Sequence, residues 1–333
     1  IACGGIAAAR LFRSVETGFI AAALLAADGF FIAYSRAALL DGYLALAVTL
    51  ALILVTFRWG LVTSLIGGVL CGATMNVKFS GVGLFVPLLL TVLLTPTPAR
   101  KRAAYAALLL GVGVATYLAL FVLGLAVAEQ TATLSAAVQR TVELYEHHAR
   151  LTDMKHPMTS GWATWALPAR PLLMANVVKL EHVRVLSSLG NLAVWWSSVA
   201  FAVTLAVTLV WYGAKEAALA PEAPSSDAPV SVRTFLATHG RQALIALAAA
   251  LGFLAPWVLS HRDSYIYHFL PIYAALILLL AGFLGFVRER QRIRVLGFLV
   301  LVLLVAAFYA PVWSLMPMSQ DAVRARLFLP SWR

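Results

Sequence analysis

Long apolar runs separated by short polar breaks dominate the chain. Several runs reach the roughly 20 residues that a helix needs to cross a bilayer. The alternation predicts about nine membrane-spanning helices, over residues 17–34, 39–57, 60–76, 79–95, 103–128, 190–212, 242–260, 265–287 and 295–312. Helices that are apolar on every side are typical of a membrane rather than of a soluble core. The predicted fold class is therefore all-α: a polytopic membrane protein.

Composition agrees with lipid as the main solvent. The 333-residue chain is 62% hydrophobic and 12% charged, whereas about 25% of the residues in a soluble domain are charged. The net charge of +11 is best explained by basic connections that set membrane topology, so we expect membrane lipid and no nucleic acid as a partner. Cys3 and Cys71 lie far apart in apolar surroundings and indicate neither a disulfide framework nor a metal site.

The positions of Lys and Arg in the short connections predict the orientation, because cytoplasmic loops are enriched in them. The basic connections that alternate onto one side, which we assign to the cytoplasm, contain Arg10, Arg13, Arg58, residues 99–102, Lys215, Arg233, Arg241 and residues 288–294. The same alternation divides the chain into N-terminal membrane helices (1–128), a segment on the outer face (129–189) and a C-terminal membrane region of four-helix type with an outer tail (190–333).

Three cations break this charge rule because they lie in short outer turns: Arg36, Lys78 and Arg262. Arg36 and Asp41 in "SRAALLD" (35–41) would be about 140° apart on one helix, so a turn between two spans fits better. Asp41 then lies near a helix start, where a carboxylate is favourable. Arg36 and Lys78 either extend their heads to the membrane surface or meet an anion in a polar cavity, for which a lipid phosphate is the obvious candidate.

The proline-rich stretch "KHPMTSGWATWALPARP" (155–171) cannot form one regular helix. Trp162 and Trp165 in it are typical of an interfacial aromatic belt, and the alternative is a surface that stacks on a sugar ring. His147, His148 and His156 lack a ligand pattern with supporting carboxylates, so the sequence predicts no metal site.

The stretch "SHRDSYIYHFLPIYA" (260–274) places Arg262 in an outer turn, and Tyr267 and His268 at the start of the next span. Polar rings that enter an apolar helix indicate a lined cavity. Arg262 is the best single candidate for phosphate binding, because a guanidinium offers a fork of donors to phosphate oxygens. All these features fall on one face, which favours a site there for an anionic, lipid-linked substrate.

Five stretches in order resemble the bacterial members of the dolichyl-phosphate-mannose–protein mannosyltransferase family, which has the GT-C membrane fold. They are "DGFFIAYSRAALLDGYL" (28–44), "NVKFSGV" (76–82), "HPMTSGWATW" (156–165), "HRDSYIYHFLPIY" (261–273) and "FYAPVWSLMPMS…RLFLPSW" (308–332). The resemblance implies transfer of mannose, with inversion, from a polyprenyl- or dolichyl-phosphate carrier to Ser or Thr hydroxyls of translocated proteins, without a cofactor.

The resemblance also implies roles for individual residues. Arg262, Arg36 and Lys78 would hold the donor phosphate. The residues that would border the sugar or the acceptor are His156, Trp162, Trp165, Tyr267 and His268. Asp41 is expected to cap its helix or position Arg36 rather than to act as the base.

The chain departs from the family in one respect: the Asp-Glu pair of the first outer loop, which is the expected general base, does not occur in it. The chain begins at Ile1 without a signal-peptide pattern, and the family has more spans than are predicted here. We therefore expect the N-terminal part to be missing and this fragment to be inactive alone. The composition favours a bacterial inner membrane, with the active face in the periplasm.

Two other functions compete with this one. Another GT-C transferase, for example one that moves aminoarabinose onto lipid A, would share most of these features. A transporter of anionic lipid is disfavoured because the sequence has no internal repeat and its charges lie at the membrane edge. A purely structural membrane subunit would leave the outer cations unexplained.

Overall fold

The computed structural model describes residues 1–128, 130–150, 157–179, 182–213, 230–260 and 263–332. Its helices are α1 (Ala2–Phe12), α2 (Val15–Ala26), α3 (Gly29–Arg36), α4 (Leu40–Leu54), α5 (Leu61–Val77), α6 (Phe85–Leu93), α7 (Ala99–Val127), α8 (Leu134–Ala149), α9 (Trp162–Trp165), α10 (Leu192–Tyr212), α11 (Val232–Leu259), α12 (Leu270–Ser314) and α13 (Gln320–Arg326). Short 3-10 turns cover Phe79–Leu84, Ile266–Phe269 and Pro330–Trp332. The strands are β1 (Leu173–Lys179) and β2 (His182–Ser187).

The apolar helices of the described chain overlap the predicted spans, except α1, which precedes the first of them. Four stretches are long and apolar enough to cross a bilayer: α7, α10, α11 and Ile266–Ser314. The bent pair α2–α3 makes a fifth, and shorter apolar helices cover α1, α4, α5 and Phe79–Leu93. The predicted class, a multi-pass helical membrane protein, is confirmed, whereas the number of nine spans stays a prediction. The β-hairpin is an addition that the hydropathy pattern did not indicate.

Helix α12 is long enough for two spans. Its 45 residues would extend about 68 Å as one straight helix, more than twice the roughly 30 Å of a hydrocarbon core. The backbone leaves the helical conformation at Gln291 (φ −138°), inside the charged run "RERQRIR". This break separates the helix at the position that lies between predicted spans 265–287 and 295–312.

A buried polar network holds the bent pair α2–α3 against the rest of the bundle. Asp28 caps α3 by accepting from the Phe30 amide at 2.9 Å, and α2 and α3 meet at 64°. The second carboxylate oxygen accepts from the Asn191 amide and from the Tyr273 hydroxyl, each at 2.8 Å. Asp28 is fully buried, so these bonds replace the water that a carboxylate would otherwise keep.

The outer-face segment and the C-terminal tail meet in the described structure. Strands β1 and β2 pair antiparallel, and Val183 of β2 forms a further bridge with Met318. Trp332 in the tail is buried and donates its indole N–H to the Pro168 carbonyl at 2.9 Å. The two regions that the charge rule assigns to one side therefore pack together.

Helices α4, α5 and α11 connect the two ends of the bundle. Asp41 lies at the start of α4, Lys78 directly follows α5, and Trp257 lies in the last turn of α11. At the other end of α4 and α5, Arg58 lines a cavity together with Arg241, which lies within α11. Since α5 has 17 residues, it separates the two ends by about 25 Å.

Candidate functional site

The ammonium group of Lys78 is the centre of a polar cluster at one end of the bundle. Its Nζ lies 2.9 and 3.0 Å from the two carboxylate oxygens of Asp41 and 3.0 Å from Nδ1 of His268. The side chains of Asp41 and His268 are 6% and 1% exposed, while that of Lys78 is 22% exposed. The cluster is therefore built into the bundle, with the lysine as its accessible member.

The hydrogen-bonding capacities of the three side chains suit one assignment of charges. With Lys78 charged, its ammonium group has donors only, so Nδ1 of His268 accepts and the imidazole proton is on Nε2. Both Asp41 oxygens accept from the same ammonium group, which favours an ionised carboxylate. One positive and one negative charge remain, so the cluster of Lys78, Asp41 and His268 is electrically neutral.

Aromatic rings enclose this cluster. The imidazole of His268 stacks on Trp257, with the ring centroids 3.7 Å apart and the planes at 14°. Trp165 lies 6.1 Å from both of these rings. The Lys78 ammonium lies 4.8 Å from the centre of the Tyr267 ring, within the range of a cation–π interaction.

Two loops that are distant in sequence form this aromatic wall together. The Ser160 amide donates to the Ser264 carbonyl at 2.8 Å, and the Ser264 hydroxyl donates to the Ser160 carbonyl at 2.8 Å. The Trp165 indole donates back to the Ser160 carbonyl at 3.2 Å. These bonds place the stretch 157–166 beside the stretch 263–269, and hence Trp165 beside His268.

A close backbone contact places Lys78 at the cluster. A Cβ added to Gly83 would lie 2.4 Å from the Gly252 carbonyl oxygen, and one added to Gly252 would lie 2.3 Å from that of Gly83. Only glycine at both positions allows the turn Phe79–Leu84 to lie directly on α11. Lys78 precedes this turn and also ends α5, where a cation is favoured by the helix dipole.

The structure brings together five of the residues that the sequence singled out. They are Lys78, Asp41, Trp165, Tyr267 and His268. Arg36 is exposed in the last turn of α3, and Trp162 is 43% exposed at the start of α9. His156 and Arg262 lie outside the described residues.

The partner of Asp41 differs from the one that the sequence favoured. Asp41 lies in the first turn of α4, but the N-cap residue is Leu39 and makes no side-chain cap. Its carboxylate binds Lys78 rather than Arg36, because it faces the bundle interior whereas Arg36 faces outward.

Trp257 contributes to the site although the sequence did not single it out. It lies in an apolar span, where an aromatic residue does not by itself indicate a functional site. A Trp close to the outer end of a span is nevertheless typical of the membrane interface, and this was the available signal.

Fold and site together define a class of protein: a multi-pass helical membrane protein with a neutral, aromatic-walled polar cluster at one end of its bundle. Residues 133–332 match the family described as the C-terminal four TMM region of protein-O-mannosyltransferase. This match covers more than half of the chain, so the chain belongs to the protein O-mannosyltransferase family. The family predicted from the sequence is thereby confirmed.

One solved structure to which the chain is similar is that of the S. cerevisiae protein O-mannosyltransferase Pmt1–Pmt2 complex bound to the sugar donor. It is 18% identical, has a TM-score of 0.46, and is matched over 59% of this chain and 26% of that chain. The chain thus spans about a quarter of the length of that relative. No curated protein matches the chain.

Proposed function

We propose that the full-length protein transfers mannose from a polyprenyl-phosphate carrier to Ser or Thr hydroxyls of translocated proteins, with inversion at the sugar carbon. The single observation that carries the proposal is the Lys78 cluster: an accessible cation with an aromatic wall, in a chain of this family. The family match supports this function and gives no support to transfer of aminoarabinose or to lipid transport.

In the proposed reaction the acceptor oxygen bonds to the anomeric carbon while the bond from that carbon to the phosphate oxygen breaks. The departing lipid phosphate keeps the electron pair, and the hydroxyl proton passes to a general base. Negative charge on the leaving phosphate increases in the transition state, so a preorganised cation beside it lowers the barrier.

Lys78 is the described cation best placed for that role. Its side chain is 22% exposed, and its ammonium group is oriented by Asp41 and His268. Because Asp41 already balances its charge, we propose that Arg36 and Arg262 supply the net positive charge for the donor phosphate. The guanidinium fork of each arginine suits phosphate oxygens.

We do not assign the general base to Asp41. Both of its oxygens contact the Lys78 ammonium and its side chain is 6% exposed, so a hydroxyl would have to displace an ion pair to reach it. We propose that the base is an acidic pair outside residues 1–333 and that this chain is inactive without it.

The residues proposed to border the sugar or the acceptor form two groups, one buried and one more exposed. Trp165 and His268 are 1% and 2% exposed, so they act as the support of the wall. Trp162 and Tyr267 are more exposed and would meet the mannose or the acceptor peptide. His156 is proposed as a further contact from the sequence alone.

The remaining assignments concern the whole chain. We propose that residues 1–128 and 190–333 form the membrane core and that 129–189 forms an outer-face segment between them. We further propose that the protein resides in a bacterial inner membrane and that the Lys78 end faces the periplasm.

The proposal is tested with full-length protein in liposomes, supplied with polyprenyl-phosphate-mannose and a Ser/Thr peptide. We expect Lys78→Met to reduce kcat/KM for the donor by about 100-fold, the size of effect seen when one preorganised donor to a developing charge is removed. Lys101→Met is the matched control, since Lys101 is exposed at the start of α7 and should leave the rate unchanged. Full activity of Lys78→Met would remove Lys78 from the site, and failure of the wild type to form mannosyl peptide would refute the function.

A further inference from the structure

A cavity lies at the opposite end of the bundle from Lys78. Its volume is about 330 Å³, and four of its lining residues are Arg10, Arg13, Arg58 and Arg241. We refer to these four residues and the space between them as the arginine pocket. Thr56, Thr97 and Gln242 add neutral hydrogen-bonding groups to its lining.

Local contacts hold Arg10 beside the cavity. Nε of Arg10 donates to Oγ1 of Thr56 at 3.0 Å, and its guanidinium lies 4.2 Å from the centre of the Phe57 ring. Arg13 is the C-cap residue of α1, with the left-handed backbone (φ 55°) that commonly ends a helix. Both arginines therefore lie at the end of α1 that borders the cavity.

The described lining of the pocket contains no Asp or Glu to balance these charges. The nearby Glu16 lies 3.5 Å from Arg288 instead. Guanidinium groups that line one cavity without a carboxylate repel each other, and an anion between them reduces that repulsion. Phosphate oxygens are the acceptors that a guanidinium fork fits best.

The depth of the pocket points to the membrane interface. It lies beyond the ends of α4 and α6, about 25 Å along α5 from Lys78. Trp59 lines it, Phe57 is 48% exposed beside it, and such aromatic residues are typical of headgroup level. Basic pockets between helices at this level suit the headgroups of anionic lipids.

We propose that the arginine pocket binds the phosphate group of an anionic ligand, in the leaflet opposite the Lys78 site. The headgroup of an anionic phospholipid and a free phosphate share this chemistry. The arginine pocket uses none of the residues assigned to mannosyl transfer. The test of anion binding therefore does not depend on the proposed function.

The experiment measures lipid binding to the detergent-solubilised full-length protein by native mass spectrometry. Phosphatidylglycerol and phosphatidylcholine with identical acyl chains are compared, and thermal unfolding is recorded with and without inorganic phosphate. The test variant is Arg58→Gln/Arg241→Gln. The matched control is Arg100→Gln/Arg292→Gln, which removes the same charge from exposed positions outside the pocket lining.

We expect wild type to prefer phosphatidylglycerol and the test variant to bind it at least about tenfold more weakly, because two charge-assisted hydrogen-bonding groups are lost. The control should retain wild-type affinity. If instead only inorganic phosphate stabilises the protein, and only with the arginines intact, the pocket takes free phosphate. Equal affinity for both lipids without stabilisation by phosphate would overturn the proposal, as would equal loss in test and control. If the test variant does not insert into the membrane, the comparison of phosphatidylglycerol with phosphatidylcholine on the wild-type protein still tests the proposal.

Discussion

At the residue scale, the pairing of Lys78 with Asp41 changes the meaning of two residues that the sequence treated separately. The sequence predicted that Lys78 lies in a turn after a span and that Asp41 lies near a helix start, and in the structure Lys78 directly follows α5 and Asp41 lies in the first turn of α4. Their contact joins positions 37 residues apart, and hydropathy carries no information about such a pair. The same holds for His268, whose acceptor nitrogen meets the ammonium group only in the folded bundle.

The ion pair predicts an asymmetry between stability and activity. Asp41→Leu leaves an ammonium group without its counter-charge in a largely buried cluster, which costs roughly 3–5 kcal/mol at full burial and less at the 22% exposure of the Lys78 side chain. Adding Lys78→Met removes that charge, so the double variant should unfold at a higher temperature than Asp41→Leu alone. Mannosyl transfer should stay low in both.

Thermal unfolding in detergent and the transfer assay separate these effects. Recovery of both stability and activity in the double variant would show that Lys78 is structural only. Unfolding temperatures that decrease additively would show that the two side chains are not coupled.

At the element scale, close backbone packing sets the position of the site. The contact between Gly83 and Gly252 lets the turn after Lys78 lie on α11, and small residues at helix contacts are typical of membrane proteins. Sequence reasoning located these elements to within a few residues because their apolar runs are long. It could not locate the glycine contact, since the partners come from segments 169 positions apart.

This contact predicts different results for two glycine substitutions. Gly252→Ala places a methyl group against the Gly83 carbonyl oxygen and should destabilise the protein by roughly 1–3 kcal/mol, with loss of transfer as Lys78 shifts. Gly111 lies in α7, and a Cβ added to it would have no neighbouring segment within 4 Å. Gly111→Ala should therefore be neutral or stabilising, because alanine favours helix. Thermal unfolding of the two variants checks this, and equal effects would contradict the packing argument.

At the scale of the whole molecule, the polar network around Asp28 and the paired loops join segments that the sequence could only order along the chain. The charge rule assigned the outer segment and the C-terminal tail to one side, and the bridge of Val183 to Met318 agrees with that assignment. The basic connections assigned to the other side include four arginines that line one cavity. The hairpin itself was not predicted, because two short strands give a weak signal next to spans of 20 residues.

Sidedness predicts how single cysteines react in intact cells. In a background without Cys3 and Cys71, a cysteine replacing Leu167, which is 66% exposed, should react with a membrane-impermeant thiol reagent added outside. A cysteine replacing Arg100 should react only after the membrane is permeabilised. The reverse pattern would place the Lys78 end in the cytoplasm and contradict the proposed location.

The neutrality of the Lys78 cluster also has a consequence for selectivity. Asp41 acts as a tethered competitor, an anion held at 2.9 Å from the ammonium and therefore at a local concentration that no dissolved phosphate matches. If this is the donor site, as proposed, we expect abundant phospholipids at the same membrane surface to compete poorly for this position. The proposed donor would have to gain its affinity from additional groups, so we expect recognition to depend on the whole lipid-linked sugar rather than on charge alone.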